Sequence, residues 1–361
     1  MKSNQAGAQS AFDQKVFAAA LHRKTLDFFD AHAATMGVHP ELNRFLAFAR
    51  SYVGGGKALR ALGISVGNHI AGGEAVGTYA PATDLGVAIE LYQASALVHD
   101  DLIDNADTRR GIPAVHRQAE QQLGAESAAP VAILIGDLLL SLNQLATVKA
   151  VENIDADVAT NVLAYMARVT GEVAWGQYLD VITEQHPLTD PEALRRYVYD
   201  VIALKSGHYS VMRPLVLGAL LQRPEPDFVQ TLEKIGRAWG VAFQMRDDYL
   251  GVFGDEALTG KPTGSDIKEG KRTILLTMAL SNAEAGDREF IEESLGRADL
   301  SDADLARVTR IIEESGAHAQ HEQAIENLAN EGRKLVLELG LDEEREAALN
   351  QFGSLLLDRC Y

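Results

Sequence analysis

The chain has 361 residues, 47% hydrophobic and 23% charged, which is enough apolar side chain for a large core and too little polarity for a disordered protein. Its formal charge of -18, from 33 Lys and Arg against 51 Asp and Glu, opposes binding to nucleic acid or to an anionic membrane, since both need a positive surface. The single cysteine, Cys360, excludes an internal disulfide framework and a thiolate metal site, and it lies too near the end for a prenylation signal. Residues 1–12 read as a flexible tail. Met1 to Gly7 lack the apolar stretch of a signal peptide, and no apolar run reads as long enough to span a bilayer; the expectation is a cytoplasmic protein without an integral membrane segment.

The first feature in chain order is Tyr52-Val53-Gly54-Gly55-Gly56-Lys57-Ala58-Leu59-Arg60, a glycine run leading to two cations one turn apart. It is not a nucleotide-binding P-loop, because Ala58 stands where Ser or Thr is required, the outer glycine spacing is wrong and no strand precedes it. Gly270-Lys271-Arg272-Thr273 fails the same test. Two cations at a helix start can still hold a phosphate, with help from exposed backbone N–H groups.

Next comes Leu97-Val98-His99-Asp100-Asp101-Leu102-Ile103-Asp104, which sets three acids in an apolar helical stretch. Asp100 and Asp104 face the same way, with Asp101 displaced by about 100°. Unpaired charges there are costly, and carboxylates around a small hard cation suggest Mg²⁺, which takes its remaining ligands from water and substrate phosphate. Acids favoured by a helix dipole at a helix start are the plainer alternative. Arg109 and Arg110 follow at a helix exit before Gly111 and Pro113. Guanidinium forks match phosphate oxygens, so the pair reads as a diphosphate clamp, or else as counter-ions of Asp104 and Asp107.

From Val131 to His186 there is no proline, and apolar residues recur at helical spacing, as in Leu134, Leu138 and Leu142. Thr189-Asp190-Pro191-Glu192 has the form of a capping box, opening a helix through Leu194, Tyr197, Val201 and Leu204. A second acidic cluster lies in Phe243-Gln244-Met245-Arg246-Asp247-Asp248-Tyr249-Leu250-Gly251, in which Tyr249, like Phe253 beyond it, reads as core. From about Asn282 the chain is amphipathic without a chemical motif, a solvated outer layer in which Ser301 opens a helix and Gly316 closes it. With no hairpin or strand-helix alternation in view, the fold class is all-α, a bundle of roughly ten helices in one domain over residues 13–361.

GGK-x-LR at Gly55 to Arg60, DDxxD at Asp100 to Asp104 followed by Arg109-Arg110-Gly111, Lys205-Ser206, Phe243-Gln244 before Asp247-Asp248, and Thr259-Gly260-Lys261 to Lys271 occur in a family's order and spacing. The chain resembles the trans-isoprenyl diphosphate synthases, the polyprenyl synthetase family, over nearly its whole length, and is most like the bacterial geranylgeranyl type. The resemblance implies the isoprenoid synthase fold, one antiparallel helical bundle around a deep central cavity with the aspartate clusters facing each other across its mouth. It also implies two to three Mg²⁺ per subunit and a homodimer.

By this resemblance Asp100, Asp104 and Asp247 are direct metal ligands, and Asp101, Asp248 and Asp266 support or complete the shell. Arg109, Lys205 and Lys261 bind the allylic diphosphate, with Lys271 at the closing edge. Lys57, Arg60, Gln93 and Arg110 bind isopentenyl diphosphate, with Gln93 standing where many bacterial members have histidine. The implied reaction ionises the allylic C–O bond, lets the alkene of isopentenyl diphosphate attack the carbocation, and passes a proton to the departing diphosphate. It requires a dry, preorganised pocket, where Ser206 and Gln244 offer oxygen dipoles to the developing positive charge.

One departure is Gly251, which stands where many members carry the last aspartate of the second motif and bears on metal affinity more than on activity. In the family the residues before the first motif line the product tunnel. Ser95 and Ala96 are small, and Tyr92, about 12 Å along the helix from Asp100, is a candidate floor, so geranylgeranyl diphosphate is the expected product, ahead of longer polyprenyl chains or farnesyl diphosphate. A class I terpene cyclase would not keep Lys57 and Arg60 and would carry an Asn/Ser/Glu second motif. A non-catalytic partner subunit would have lost its metal ligands, and a di-iron bundle would need Glu-x-x-His pairs that are absent.

Overall fold

The computed structural model describes residues 10–35, 39–183, 185–254 and 263–357, and almost all of them are helical. In chain order the elements are α1 (Gln14–Ala33), α2 (Pro40–Arg50), α3 (Leu59–Ile70), α4 (Ala80–Ile103), the two-residue strands β1 (Thr108–Arg109) and β2 (Ile112–Pro113), α5 (Val115–Leu123), α6 (Ala125–Val151) and α7 (Ala156–Thr183). There follow α8 (Pro191–Ile202), a π-helical segment (Ala203–Met212), α9 (Arg213–Leu220), α10 (Pro226–Phe253), α11 (Ser265–Glu269), α12 (Ile274–Asn282), α13 (Ala285–Ser294), α14 (Asp302–Glu314), α15 (Ala317–Glu338) and α16 (Glu343–Leu357). The all-α class holds, with more and shorter helices than the ten or so expected.

Two compact units emerge, residues 1–166 with 214–225 and 341–352, and residues 167–213 with 226–340 and 353–361. In the first, α4 packs along α6 through small and apolar side chains, among them Ala88, Ser95, Ile135, Gly136 and Leu139. Two buried polar groups fix the register of this pair. Asn143 Nδ2 donates to the Ala88 carbonyl at 2.8 Å, and Ser95 Oγ donates to the Gly136 carbonyl at 2.8 Å. Within the segment expected to be tail, Phe12 is buried and Gln351 holds the backbone of Ala11 and Phe12 at 2.8 Å each.

Contrary to the reading that no apolar run could span a bilayer, α6 is long and apolar enough to do so. Its composition follows from packing, because one face is buried on α4 and the other keeps Ile133, Leu134 and Val148 exposed. No membrane is needed to explain the buried face.

In the second unit α10 is the central rod, packed against the π-helical segment and α15. Trp239 is fully buried, donating from Nε1 to the Ala329 carbonyl at 3.3 Å, and its indole lies where a Cβ on Gly332 or Gly353 would sit. The helix expected from Thr189 is capped one residue later, by Asp190, whose carboxylate accepts from the Ala193 N–H at 3.0 Å. It also leaves α geometry at Ala203, before Leu204. At that point two backbones meet, and a Cβ on Gly240 of α10 would lie 2.3 Å from the Gly207 carbonyl oxygen. π-Helical geometry recurs at functional sites. The amphipathic C-terminal helices contribute to a core as well as to the surface: Val308, Ile312 and Ala317 are buried with Tyr249, Ile267 and Leu276.

Gly240→Ala should therefore lower stability by about 1–3 kcal/mol in chemical denaturation. Gly286→Ala, where a Cβ meets nothing within 4 Å, should be neutral or slightly stabilising.

Candidate active site

In the first unit, α4 delivers its acids at its C-terminal end, where the last carbonyls and the chain reversal bring polar groups together. Asp101 is fully buried, Asp100 is partly exposed and Asp104, the C-cap, is exposed. A buried carboxylate persists only if paired, and Asp101 is paired on both oxygens. Tyr52 Oη donates to Oδ2 at 2.5 Å, and Arg109 Nε donates to Oδ1 at 2.8 Å, with the Arg109 Nη2 on the same oxygen. Arg109 Nη2 also lies 3.6 Å from Asp100 Oδ2. Arg109 is thus turned to Asp101, while Asp107 pairs with Arg117 Nε at 3.0 Å.

The paired arginines do not leave on a helix. They sit in a short antiparallel hairpin with Thr108 opposite Pro113 and Arg109 opposite Ile112. Its two turn residues, Arg110 and Gly111, have φ of 53° and 78°, a primed turn that fits the strand twist. This conformation sends the two side chains to different places. The Arg110 guanidinium lies over the glycine run, since a Cβ on Gly55 would be 2.6 Å from its Nη1 and one on Gly56 would be 3.1 Å from its Nη2.

Beyond the glycines, Ala58 takes a left-handed φ of 50° and α3 begins without a side-chain cap, so its first N–H groups face the same region as exposed Lys57 and half-buried Arg60. Glu90 of α4 is the local counter-ion. Burial pushes its carboxyl above the usual range, opposed by the Arg60 and Arg110 charges. Gln93 Oε1, one turn on, is buried without a hydrogen-bond partner. Sequence reading missed Tyr52 and Glu90. An acid three residues before Gln93 in an apolar helix was a usable signal for Glu90, whereas nothing in the local pattern marked Tyr52.

Farther back on α4, Tyr92 is buried and Ala96 is half-buried, and Ser95 is turned into the seam with α6 through its bond to Gly136. Burial raises the Tyr92 phenol, with Arg60 acting against it, so its ring lies within the field of that guanidinium.

The second unit carries its own polar group. Lys205 and Ser206 are half-buried in the π-helical segment, and Lys205 Nζ donates to Asp180 Oδ2 at 2.5 Å. A Cβ on Gly176 would be 2.4 Å from the Lys205 backbone nitrogen, so a glycine is needed one turn before Asp180. Asp180 was also missed. On α10, Asp247 is exposed and Asp248 buried. Asp248 Oδ1 accepts from Lys271 Nζ at 2.8 Å and from Gln244 Nε2 at 2.9 Å, which turns the Gln244 carbonyl oxygen the other way.

Burial pushes the Asp248 carboxyl up, with the Lys271 charge opposing, and burial of Lys271 is in turn overcome by Asp248 and Asp266, which hold its ammonium well above its ordinary value. Tyr249 and Phe253 stack on each other at 4.9 Å, as core residues. Thr259, Gly260 and Lys261 lie outside the described residues.

Gly251 has a direct structural partner. A Cβ there would fall 2.4 Å from Cγ and Oδ2 of Asp266, which is buried on α11 with Lys271 Nζ 3.5 Å from its Oδ2. The carboxylate absent from residue 251 is replaced in space by Asp266. Among the described residues no three acidic, His or Cys side chains form a ready-made metal cage. The donor set nevertheless suits Mg²⁺, which needs only one or two carboxylates when substrate phosphate and water complete it. Asp248 Oδ2, buried and without a hydrogen-bond partner, is an acceptor left open for such a charge or its water.

An aspartate at this position should therefore disturb the group. Gly251→Asp is expected to displace Asp266 and to weaken Mg²⁺ binding about tenfold, read by calorimetric titration.

Known proteins share the family pattern and the fold. The family model described as Polyprenyl synthetase matches residues 43–312. The chain is 32% identical over 308 residues to a short chain isoprenyl diphosphate synthase of Methanothermobacter thermautotrophicus, covering 84% of this chain and 87% of that one. It is 30% identical over 285 residues to a geranylgeranyl diphosphate synthase of Saccharolobus solfataricus, covering 77% and 80%. A solved geranylgeranyl pyrophosphate synthase of Corynebacterium glutamicum, complexed with isoprenyl diphosphate and magnesium, superposes with a TM-score of 0.89 at 31% identity over 97% of this chain and 100% of that one. The motifs, the helical architecture and these similarities agree that the chain belongs to the polyprenyl synthetase family of trans-prenyltransferases.

Proposed function

We propose that the protein joins isopentenyl diphosphate head-to-tail to dimethylallyl, geranyl and farnesyl diphosphates, depends on two to three Mg²⁺ per subunit, and releases mainly geranylgeranyl diphosphate. The observation that carries this reading is the presence of two distinct charged groups within the first unit. One sets Asp100 beside Arg109, with Asp104 one turn on as the C-cap of α4. The other is cationic, with Arg110 laid over Gly55 and Gly56 and with Lys57 and Arg60 at the uncapped start of α3. A cyclase handles one diphosphate and has no use for the second group, whereas a condensing enzyme handles two.

In this reading Lys57, Arg60, Gln93 and Arg110 hold isopentenyl diphosphate, with Glu90 keeping the two arginines oriented. Asp100, Asp104 and Arg109 serve the allylic diphosphate, and Asp247, Asp248, Asp266, Lys205 and Lys271 are the second unit's metal- and diphosphate-binding groups. Bound Mg²⁺ supplies charge neutralisation for the leaving diphosphate. The protein's own part is to fix charges before ionisation occurs. Lys205 is held by Asp180 and Lys271 by Asp248, so neither must reorganise. The Gln244 carbonyl, turned away from Asp248, offers a dipole to a developing cation, as does Ser206. No side chain needs to act as a strong base, because departing diphosphate can take the proton.

The small Ala96, with Tyr92 one turn before it, favours a product of intermediate length, Ser95 being taken up in the seam with α6, and the solvent-facing apolar residues Ile133, Leu134 and Val148 of α6 favour association of two copies through that helix.

Purified protein with Mg²⁺ should release diphosphate only when isopentenyl diphosphate and an allylic starter are both present, and a chelator should abolish this. Release from the allylic substrate alone would establish a cyclase instead. Mass analysis should show geranylgeranyl diphosphate as the main product, with Tyr92→Ala shifting it longer; mainly farnesyl diphosphate would refute the length assignment. Asp100→Ala and Asp247→Ala should each cost about 100-fold in turnover.

A further inference from the structure

We infer that Tyr52 is a positioning residue for condensation: its phenol O–H locks Asp101 into a brace that orients Arg109, and it ties the glycine-lysine loop to the first aspartate cluster. This rests on the function proposed above. Asp101 is 0% exposed, and its oxygens are divided between two donors, Tyr52 on Oδ2 at 2.5 Å and Arg109 on Oδ1 at 2.8 Å. A carboxylate so occupied is poorly placed to serve a metal directly. What it does is hold the Arg109 guanidinium in the position where Nη2 also comes within 3.6 Å of Asp100.

Tyr52 is itself fixed. It is 5% exposed, and its N–H donates to the Ala49 carbonyl at 3.1 Å as the chain leaves α2. Two residues later the glycine run begins, and Arg110, next to Arg109 on the hairpin, lies over Gly55 and Gly56. The loop carrying Lys57 is therefore joined to the acidic end of α4 by the bond of Tyr52 to Asp101 and approached from the hairpin by Arg110 over the glycines. The Tyr52 bond is the one that reaches the aspartate cluster. A phenol suits the task because its ring fills the buried space while one polar atom completes the carboxylate. Phenylalanine would keep the packing and leave Asp101 Oδ2 buried and unpaired, which favours its swinging out and taking Arg109 with it.

Tyr52→Phe is the direct test, with Asp101→Asn and the double variant, all checked for folding by thermal melts. The expected result for Tyr52→Phe is a rise of about tenfold in KM for the allylic diphosphate and in the Mg²⁺ concentration for half-maximal rate. In the Asp101→Asn background the same change should add no more than about twofold. A purely structural role would lower the melting temperature and leave both constants of the folded enzyme unchanged. Calorimetric binding of inorganic diphosphate with Mg²⁺, weaker by about tenfold in Tyr52→Phe, reads the brace without turnover. If wild-type protein condenses nothing yet this binding difference appears, the functional reading fails and the brace stands. If constants and binding stay within about twofold of wild type, or the two substitutions act independently, the brace is wrong. Should Tyr52→Phe not fold, Asp101→Asn must by itself show the rise in allylic KM, and its absence overturns the inference.

Discussion

The polar groups of this protein depend on matching buried carboxylates with donors. An acid inside a helical bundle is tolerated only when its oxygens are matched by donors, and the structure does this twice by the same means. Asp101 is matched by Arg109 and Tyr52, and Asp248 by Lys271 and Gln244. In both cases the neighbouring acid, Asp100 or Asp247, is left nearer to solvent. Each adjacent aspartate pair therefore divides its labour. The inner member anchors a cationic side chain, and the outer member is the more accessible of the two.

Glycine is the second means by which the sites are built. The Gly55–Gly56 step is bare because Arg110 lies on it, Gly176 because the Lys205 backbone crosses it, and Gly207 and Gly240 because two main chains touch. In each instance a missing side chain brings a functional group closer than an alanine would permit. The left-handed Arg110 belongs to the same logic. A non-glycine residue at a φ of 53° costs about 1–2 kcal/mol, which the hairpin carries in order to send adjacent arginines to different tasks.

The all-α class was legible from period and composition, and so were the acidic clusters, the cations near the glycine run and the N-cap at Ser301, because each leaves a local mark in the chain. What the sequence hid was anything made by contact between distant segments. Tyr52 reaches across to Asp101, Glu90 serves two arginines from different elements, and Asp180 holds Lys205. The hairpin at Arg109 was missed because two strands of two residues have no periodicity to read. The π-helical segment was missed because it has no periodicity distinct from the helix it continues, and its close approach at Gly207 is to Gly240 on another helix. The apolar length of α6 was underestimated because its apolar residues are interrupted by Asp137, Ser141, Asn143 and Gln144 and so form no unbroken run, although the helix as a whole is apolar.

The closeness of Gly251 to Asp266 has a consequence for how firmly that carboxylate is held. Asp247 and Asp248 belong to the long α10, and they can leave their places only if the central rod of their unit comes apart. Asp266 stands on α11, a helix of five residues whose seat rests largely on Ile267 in the core and on Lys271 between two acids. A small element of that kind opens at far lower free energy than the whole fold. The place of the Asp266 carboxylate is thus linked to a local opening equilibrium, so that substitutions at Ile267 would displace that carboxylate before they registered as changes in global folding.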